Sequence, residues 1–315
     1  MNLVETLRKK IVTLGDGEYV AGLRAVLQHI ETAFRHLSRG QTSGDDSAFT
    51  DAIYRTNQAF EGSIKEAYRV LTGHDPVKKR AFDIESYLEK NKIFRSRVLT
   101  QLTTYRTEWR NPSTHDYKLD FDESEAFLAI ISVSALACLL IDQIIERLAY
   151  VKSRAEADAL NLGASVRVED ANLVDLFAKV LQLTREFCRF HLPSAGASLK
   201  HSEVQIVGAL HGFLASAAPD IDVQIDVPIR IGDSVLRPDV ILTRGKESVI
   251  VELKRTVSNE NHGRALAQVQ RYLRATGIKN GILLFFPEDL SEMRLMDSDP
   301  SVVDERIVIM RPECS

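Results

Sequence analysis

The stretch from Leu236 to Lys254 constrains this chain more than any other: Leu-Arg-Pro-Asp-Val-Ile-Leu-Thr-Arg-Gly-Lys-Glu-Ser-Val-Ile-Val-Glu-Leu-Lys. Two apolar runs flank Arg244-Gly245-Lys246, which is the pattern of a β-hairpin. On the second strand the two-residue period puts Ser248, Ile250, Glu252 and Lys254 on one face, and Val249, Val251 and Leu253 on the other. A carboxylate and an ammonium thus project side by side from a strand built for burial. Asp239, just after Pro238 on the partner strand, reaches the same spot if the hairpin closes at Gly245. Buried charge is costly unless it is paired or metal-bound. A hard divalent cation answers that cost: Mg2+ is typically held by one or two carboxylates plus waters and phosphate oxygens, where it activates water and stabilises displacement at phosphorus. Taken alone, Glu252-Leu253-Lys254 reads as an ion pair on an exposed edge strand.

Arg237-Pro238-Asp239 followed by Glu252-Leu253-Lys254 resembles the signature of the PD-(D/E)XK, or restriction-endonuclease-like, nucleases, whose core runs helix, three strands, helix, strand. The flanking sequence predicts that order. Lys200 to Ser216 reads as a helix opened by a capping box of Ser202 and Gln205. Asp222 to Ile231 alternates as a half-buried strand in which Pro228 marks an edge or bulge. After the hairpin come a polar loop (Arg255 to Asn261), a helix from Gly263 to about Thr276, and a fully apolar strand, Gly281 to Phe286. Residues near Val302 to Met310 add an edge strand.

The resemblance implies that Asp239, Glu252, Glu203 and the Leu253 carbonyl hold Mg2+ (or Mn2+), and that Lys254 orients or deprotonates the attacking water. By itself Glu203 is only a first-turn acid that favours the helix dipole. Gln268-x3-Tyr272 matches an accessory motif of part of that family, where it helps place the nucleic acid; taken alone it is a polar helix stripe. Between Arg237 and Lys279 nine basic residues stand against four acidic ones, in a chain of net charge −4. Such a local bias attracts a polyphosphate. Arg264, Arg255 and Arg237 are the candidate phosphate contacts, although Arg237 can equally cover the sheet.

The first half reads as helices: Gly22 to Leu37, Ala48 to Leu71, Asp83 to Lys90 and Phe94 to about Trp109, with a loop at Arg39 to Asp46. Asp122 or Ser124 caps a last, very apolar helix whose run Ala126 to Ile141 is uncharged but short for a membrane span. Pro112 should stop the helix before it near Arg110 and leave His115 in a loop. Arg110-Asn-Pro-Ser-Thr-His115 between two long helices resembles the Arg-x(4–6)-His motif of HEPN domains, which often act as RNases. An imidazole can move a 2′-hydroxyl proton while a guanidinium holds charge on phosphorus. The resemblance implies a homodimer with facing motifs, the apolar helix at its interface, and Asn57 or Glu61 as the accompanying polar residue. In isolation the motif is a helix end with a surface histidine.

At 315 residues the chain suits two domains. The expected division is a HEPN-like helical domain at 1–150, a helical connector at 151–194, and a PD-(D/E)XK domain at 195–315. The helix beginning at Leu173 is assignable to either neighbour. The fold class is therefore α+β multidomain, an all-α bundle followed by an α/β restriction-endonuclease-like core. Three widely spaced cysteines (Cys138, Cys188, Cys314) and an N-terminus with no apolar signal core predict a reducing, cytoplasmic location with no membrane partner. The function expected is a metal-dependent nuclease of DNA or RNA, with a second, metal-independent RNase site at Arg110 and His115. Such pairings suggest a prokaryotic defence or toxin effector. The alternative is a non-catalytic, dimeric nucleic-acid-binding or sensor protein.

Overall fold

Apolar residues spaced three and four apart build the first half from helices, and continuous β-branched runs build the second around a sheet. The computed structural model describes residues 3–116, 118–160, 175–191, 202–255, 259–286, 293–297 and 305–312. It has α+β architecture, a helical N-terminal region followed by a mixed sheet with helices, and divides into two units, Met1–Arg147 and Leu148–Ser315. The expected boundary between 194 and 195 falls outside the described residues, as do the start of the helix at Leu173 and part of the loop after Arg255.

From the first unit on, α1 (Leu3–Val12), α2 (Glu18–Ser43), α3 (Ser47–Thr72), α4 (Ala81–Lys90) and α5 (Ser96–Tyr105) precede a π turn (Arg106–Arg110), α6 (Asn111–His115) and α7 (Glu123–Ala159), whose residues from Leu148 onward belong to the second unit. The loop expected at Arg39 to Asp46 shrinks to a turn at Gly44 (φ 67°), because α2 continues to Ser43. Gly40 lies in the last turns of that helix, where the absence of a Cβ leaves room for the Phe49 ring of α3. Helix α7 opens on a reciprocal cap, in which the Asp122 N–H donates to Glu125 and the Glu125 N–H donates to Asp122. By length and composition α7 could cross a membrane. Ala126, Ala129, Ile130, Val133, Leu136 and Leu140 are nevertheless buried, so its apolar stretch forms a core helix of this unit.

The second unit has three layers. A six-stranded sheet runs β1-β4-β5-β6-β8-β7: β1 (Asp222–Ile225), β4 (Val240–Arg244) and β5 (Glu247–Lys254) are antiparallel, and β6 (Asn280–Phe285) is parallel to β5. Strand β8 (Arg306–Pro312) lies between β6 and β7 (Met293–Asp297). The edge strand expected near Val302 to Met310 is therefore interior, with β7 outside it. One face carries Val249, Val251 and Leu253 against α8 (Leu176–His191) and α9 (Glu203–Ala217). The other carries Ile241, Ile250, Leu283 and Phe285 against α10 (Asn259–Thr276). Burial on both faces explains why these strands read as unbroken apolar runs. Leu176, Val180, Leu183 and Phe187 place α8 in this core.

The strand expected over Asp222 to Ile231 breaks in two. Asp226 takes a left-handed conformation (φ 54°), and the chain leaves the main sheet as a separate ribbon of β2 (Ile229–Ile231) and β3 (Ser234–Leu236) before returning at β4. Pro228, which lacks the N–H for a ladder bond, lies in that break.

Helix α9 meets the backbone of residues 150–154 at Gly212, where any Cβ would collide with the Tyr150 carbonyl. Gly212→Ala is expected to destabilise the second unit by about 1–3 kcal/mol, seen as a lower urea midpoint at unchanged slope.

Candidate active site

The β4–β5 register, Val240 opposite Val251 and Thr243 opposite Ser248, sets the candidate site. Carried one residue further it puts Asp239 opposite Glu252, and opposed residues of an antiparallel pair share a face. Gly245 (φ 62°) closes the turn that fixes this register. Each carboxylate accepts a main-chain N–H from the other strand. Asp239 N–H donates to Glu252 Oε2 (3.2 Å), and Leu253 N–H donates to Asp239 Oδ2 (2.8 Å). Lys254 Nζ donates to Glu252 Oε1 at 2.7 Å. Glu252 is only 1% exposed, a carboxylate on one of the most buried strands of the sheet.

The electrostatics show negative charge in excess. Burial and then the neighbouring Glu252 raise the Asp239 carboxyl to about 7. Burial also raises Glu252, against the pull of Lys254. Glu203, in the first turn of α9 behind the expected capping box, is raised by burial and then by the charge of Asp239. Burial pulls the Lys254 ammonium down, but Glu252, Asp239 and Glu203 outweigh it and the net direction is up.

Among the described residues no group of three or more His, Cys, Asp or Glu side chains is gathered as a complete metal cage. The two facing carboxylates still suit a hard cation that needs only one or two protein carboxylates. Their oxygens have more lone pairs than these hydrogen bonds use. Carboxylates unaided by His or Cys favour Mg2+ or Mn2+ over softer ions.

A PD-(D/E)XK nuclease superfamily model matches residues 208–295. The match points to a nuclease. It spans Asp239, Glu252, Lys254, Gln268 and Tyr272, and begins just after Glu203. No curated protein and no solved structure matches the chain.

The accessory residues are placed differently from expectation. Tyr272 is buried, its hydroxyl donates to the Arg237 carbonyl (3.1 Å), and Gln268 Nε2 donates to that hydroxyl (2.6 Å). The Tyr272 hydroxyl therefore faces the Arg237-Pro238-Asp239 segment, with the half-buried Gln268 behind it. The Arg237 guanidinium faces Asp226, donating to its carbonyl at 3.3 Å and lying 3.8 Å from its carboxylate. Arg264 is exposed and Arg255 half-buried. The residue missed from sequence is Asp226; its signal was an Asp two positions before a proline, since Asp tolerates the left-handed region better than most residues.

At Arg110 the expected stop does not occur. The π turn shifts the hydrogen-bond ladder, with Asn111 N–H reaching the Arg106 carbonyl, so Pro112 falls in the first turn of α6, where no N–H is required. His115 therefore ends a helical turn and is exposed. Five helical positions separate it from Arg110, roughly 140° around the axis. Arg110 Nη1 donates to Asn111 Oδ1. Asn57 of α3 donates to Ser113 Oγ (2.7 Å), Ser113 donates to the Arg110 carbonyl (3.1 Å), and the Tyr105 hydroxyl bonds Thr56 (2.7 Å) and lies 3.0 Å from Asn57 Oδ1. Glu61 instead pairs with Lys65. Sequence reasoning also passed over Glu85, which is buried, raised by that burial, and bonded to Arg106 at 3.1 Å.

A carboxyl raised in the fold costs stability once it ionises. The metal-free protein is therefore expected to lose stability as pH climbs from the ordinary Asp range near 4 through about 7. Asp239→Asn, which keeps the acceptor for Leu253 N–H, should melt above wild type at pH 7.5 in chelator, by on the order of 1 kcal/mol, or about 2–4 °C. Added Mg2+ should raise the wild-type Tm and close that gap.

Proposed function

We propose that the second unit is a restriction-endonuclease-like nuclease that hydrolyses phosphodiester bonds of DNA or RNA with Mg2+ or Mn2+. The observation that carries this reading is the pairing of Asp239 and Glu252 across a buried hairpin beside Lys254. The superfamily match and the core order of α9, β1, β4, β5, α10 and β6 support it. Asp239 and Glu252 would hold the ion, with Glu203 and the Leu253 carbonyl completing its protein ligands. When bound, such an ion lowers the pKa of a water and offsets charge on the phosphate. Lys254, its pKa raised by three carboxylates, remains an ammonium at neutral pH, which favours orienting water or phosphate over removing a proton. Exposed Arg264 and Arg271 on α10 offer charge for the nucleic-acid backbone.

A second, metal-independent RNase site of HEPN type in the first unit would use Arg110 and His115. The chain Asn57–Ser113–Arg110 favours it, because it ties the motif to a polar residue of α3. Since the two side chains diverge around one helix, two copies of the chain would complete that site together. The exposed Phe127, Leu128 and Ile131 of α7 give an apolar face for such a homodimer.

Incubation with labelled RNA or DNA, with Mg2+ or with chelator, tests both sites. Cleavage that needs Mg2+ and disappears in Asp239→Ala and Glu252→Ala is expected of the second unit. RNA cleavage that survives chelator and disappears in His115→Ala is expected of the first. Binding of nucleic acid without any cleavage, unchanged in Glu252→Ala, would instead establish the non-catalytic alternative.

A further inference from the structure

We propose that Asp226 and Tyr272 are positioning residues for Asp239, two jaws of a clasp on the Arg237-Pro238-Asp239 segment. This inference rests on the nuclease reading of the site. Asp226 and Lys92 are the non-glycine residues with positive φ among those described, and Asp226 is the one in the second unit. L residues occupy that region at a cost, and such positions persist where the surrounding structure holds them.

The conformation lets Asp226 act on both ends of the segment. Its N–H donates to the Asp239 carbonyl at 3.1 Å. Its own carbonyl and carboxylate receive the Arg237 guanidinium, at 3.3 Å and 3.8 Å. From α10 the Tyr272 hydroxyl, fixed by Gln268, donates to the Arg237 carbonyl at 3.1 Å. Between these anchors Pro238 is buried and its φ is locked by its ring. The main chain at Asp239 and at Arg237 is thus held by the end of β1 and by α10, and the Asp239 carboxylate itself by the Leu253 N–H.

A carboxylate that must ionise beside Glu252 and accept a cation gains from such support, because partners one shell out orient the ligand and set metal affinity. The guanidinium of Arg237 and the amide of Gln268 thereby serve the metal ligand, and their loss should be felt by the ion before it is felt by the nucleic acid.

The test separates ion from polymer. Calorimetric titration of the full chain with Mn2+, without nucleic acid, should show binding that Glu252→Ala abolishes. Tyr272→Phe, which keeps the ring and removes the hydroxyl, and Asp226→Ala should each weaken Mn2+ binding about 10-fold or more. Asp226→Asn, which tolerates the left-handed backbone and retains an acceptor for Arg237, should keep most of it. Affinity for a fluorescein-labelled oligonucleotide in chelator should be unchanged in all three. Tyr272→Phe binding Mn2+ as wild type does, or losing oligonucleotide affinity while Mn2+ affinity holds, would overturn the clasp. Wild type that binds no Mn2+ would overturn the nuclease reading itself, and the clasp with it.

Discussion

The second unit holds two carboxylates together where the sheet has little water to solvate them. Asp239 and Glu252 meet because one hairpin closes at Gly245 in one register. A slip of one residue would turn Glu252 toward Val251's side, into the apolar layer formed with α8 and α9. The apolar neighbours on both faces therefore enforce the register, and the register brings the charges together. What remains is an electrostatic deficit, with both carboxyls raised and the Lys254 ammonium in direct contact with Glu252. Carboxyls raised by burial and by one another are more frequent at functional sites than elsewhere in a fold.

The first unit handles polar groups differently. Several of its inward polar side chains bond one another: Tyr105 bonds Thr56 and Asn57, Asn57 bonds Ser113, and Glu85 bonds Arg106. This network fastens the π turn and α6 to α3, which fixes the backbone around Arg110 while leaving His115 exposed.

Much of this was legible along the chain because it is local. The hairpin, its faces, the Ser202–Gln205 capping box and the apolar strand Gly281 to Phe286 follow from period and turn chemistry, and the structure has them. The departures have long-range causes. Gly40 reads as a loop residue until Phe49 is packed on it. Pro112 reads as a stop until a π turn resets the ladder. Tyr272 reads as part of an exposed polar stripe until its hydroxyl finds the Arg237 carbonyl thirty-five positions away.

The sequence alone determined which chemistry was available: Asp239, Glu252 and Lys254 at strand spacing, among residues that must be buried on both faces of a sheet. Periodicity and turn preference act between near neighbours, so one strand pattern was enough to disclose them. Only the tertiary structure decided what holds Asp239 in place. The left-handed turn at Asp226 and the inward hydroxyl of Tyr272 come from segments distant in the chain, and the bonds by which they reach residues 237–239 include two to main-chain carbonyls, which carry no signature in a string of side chains.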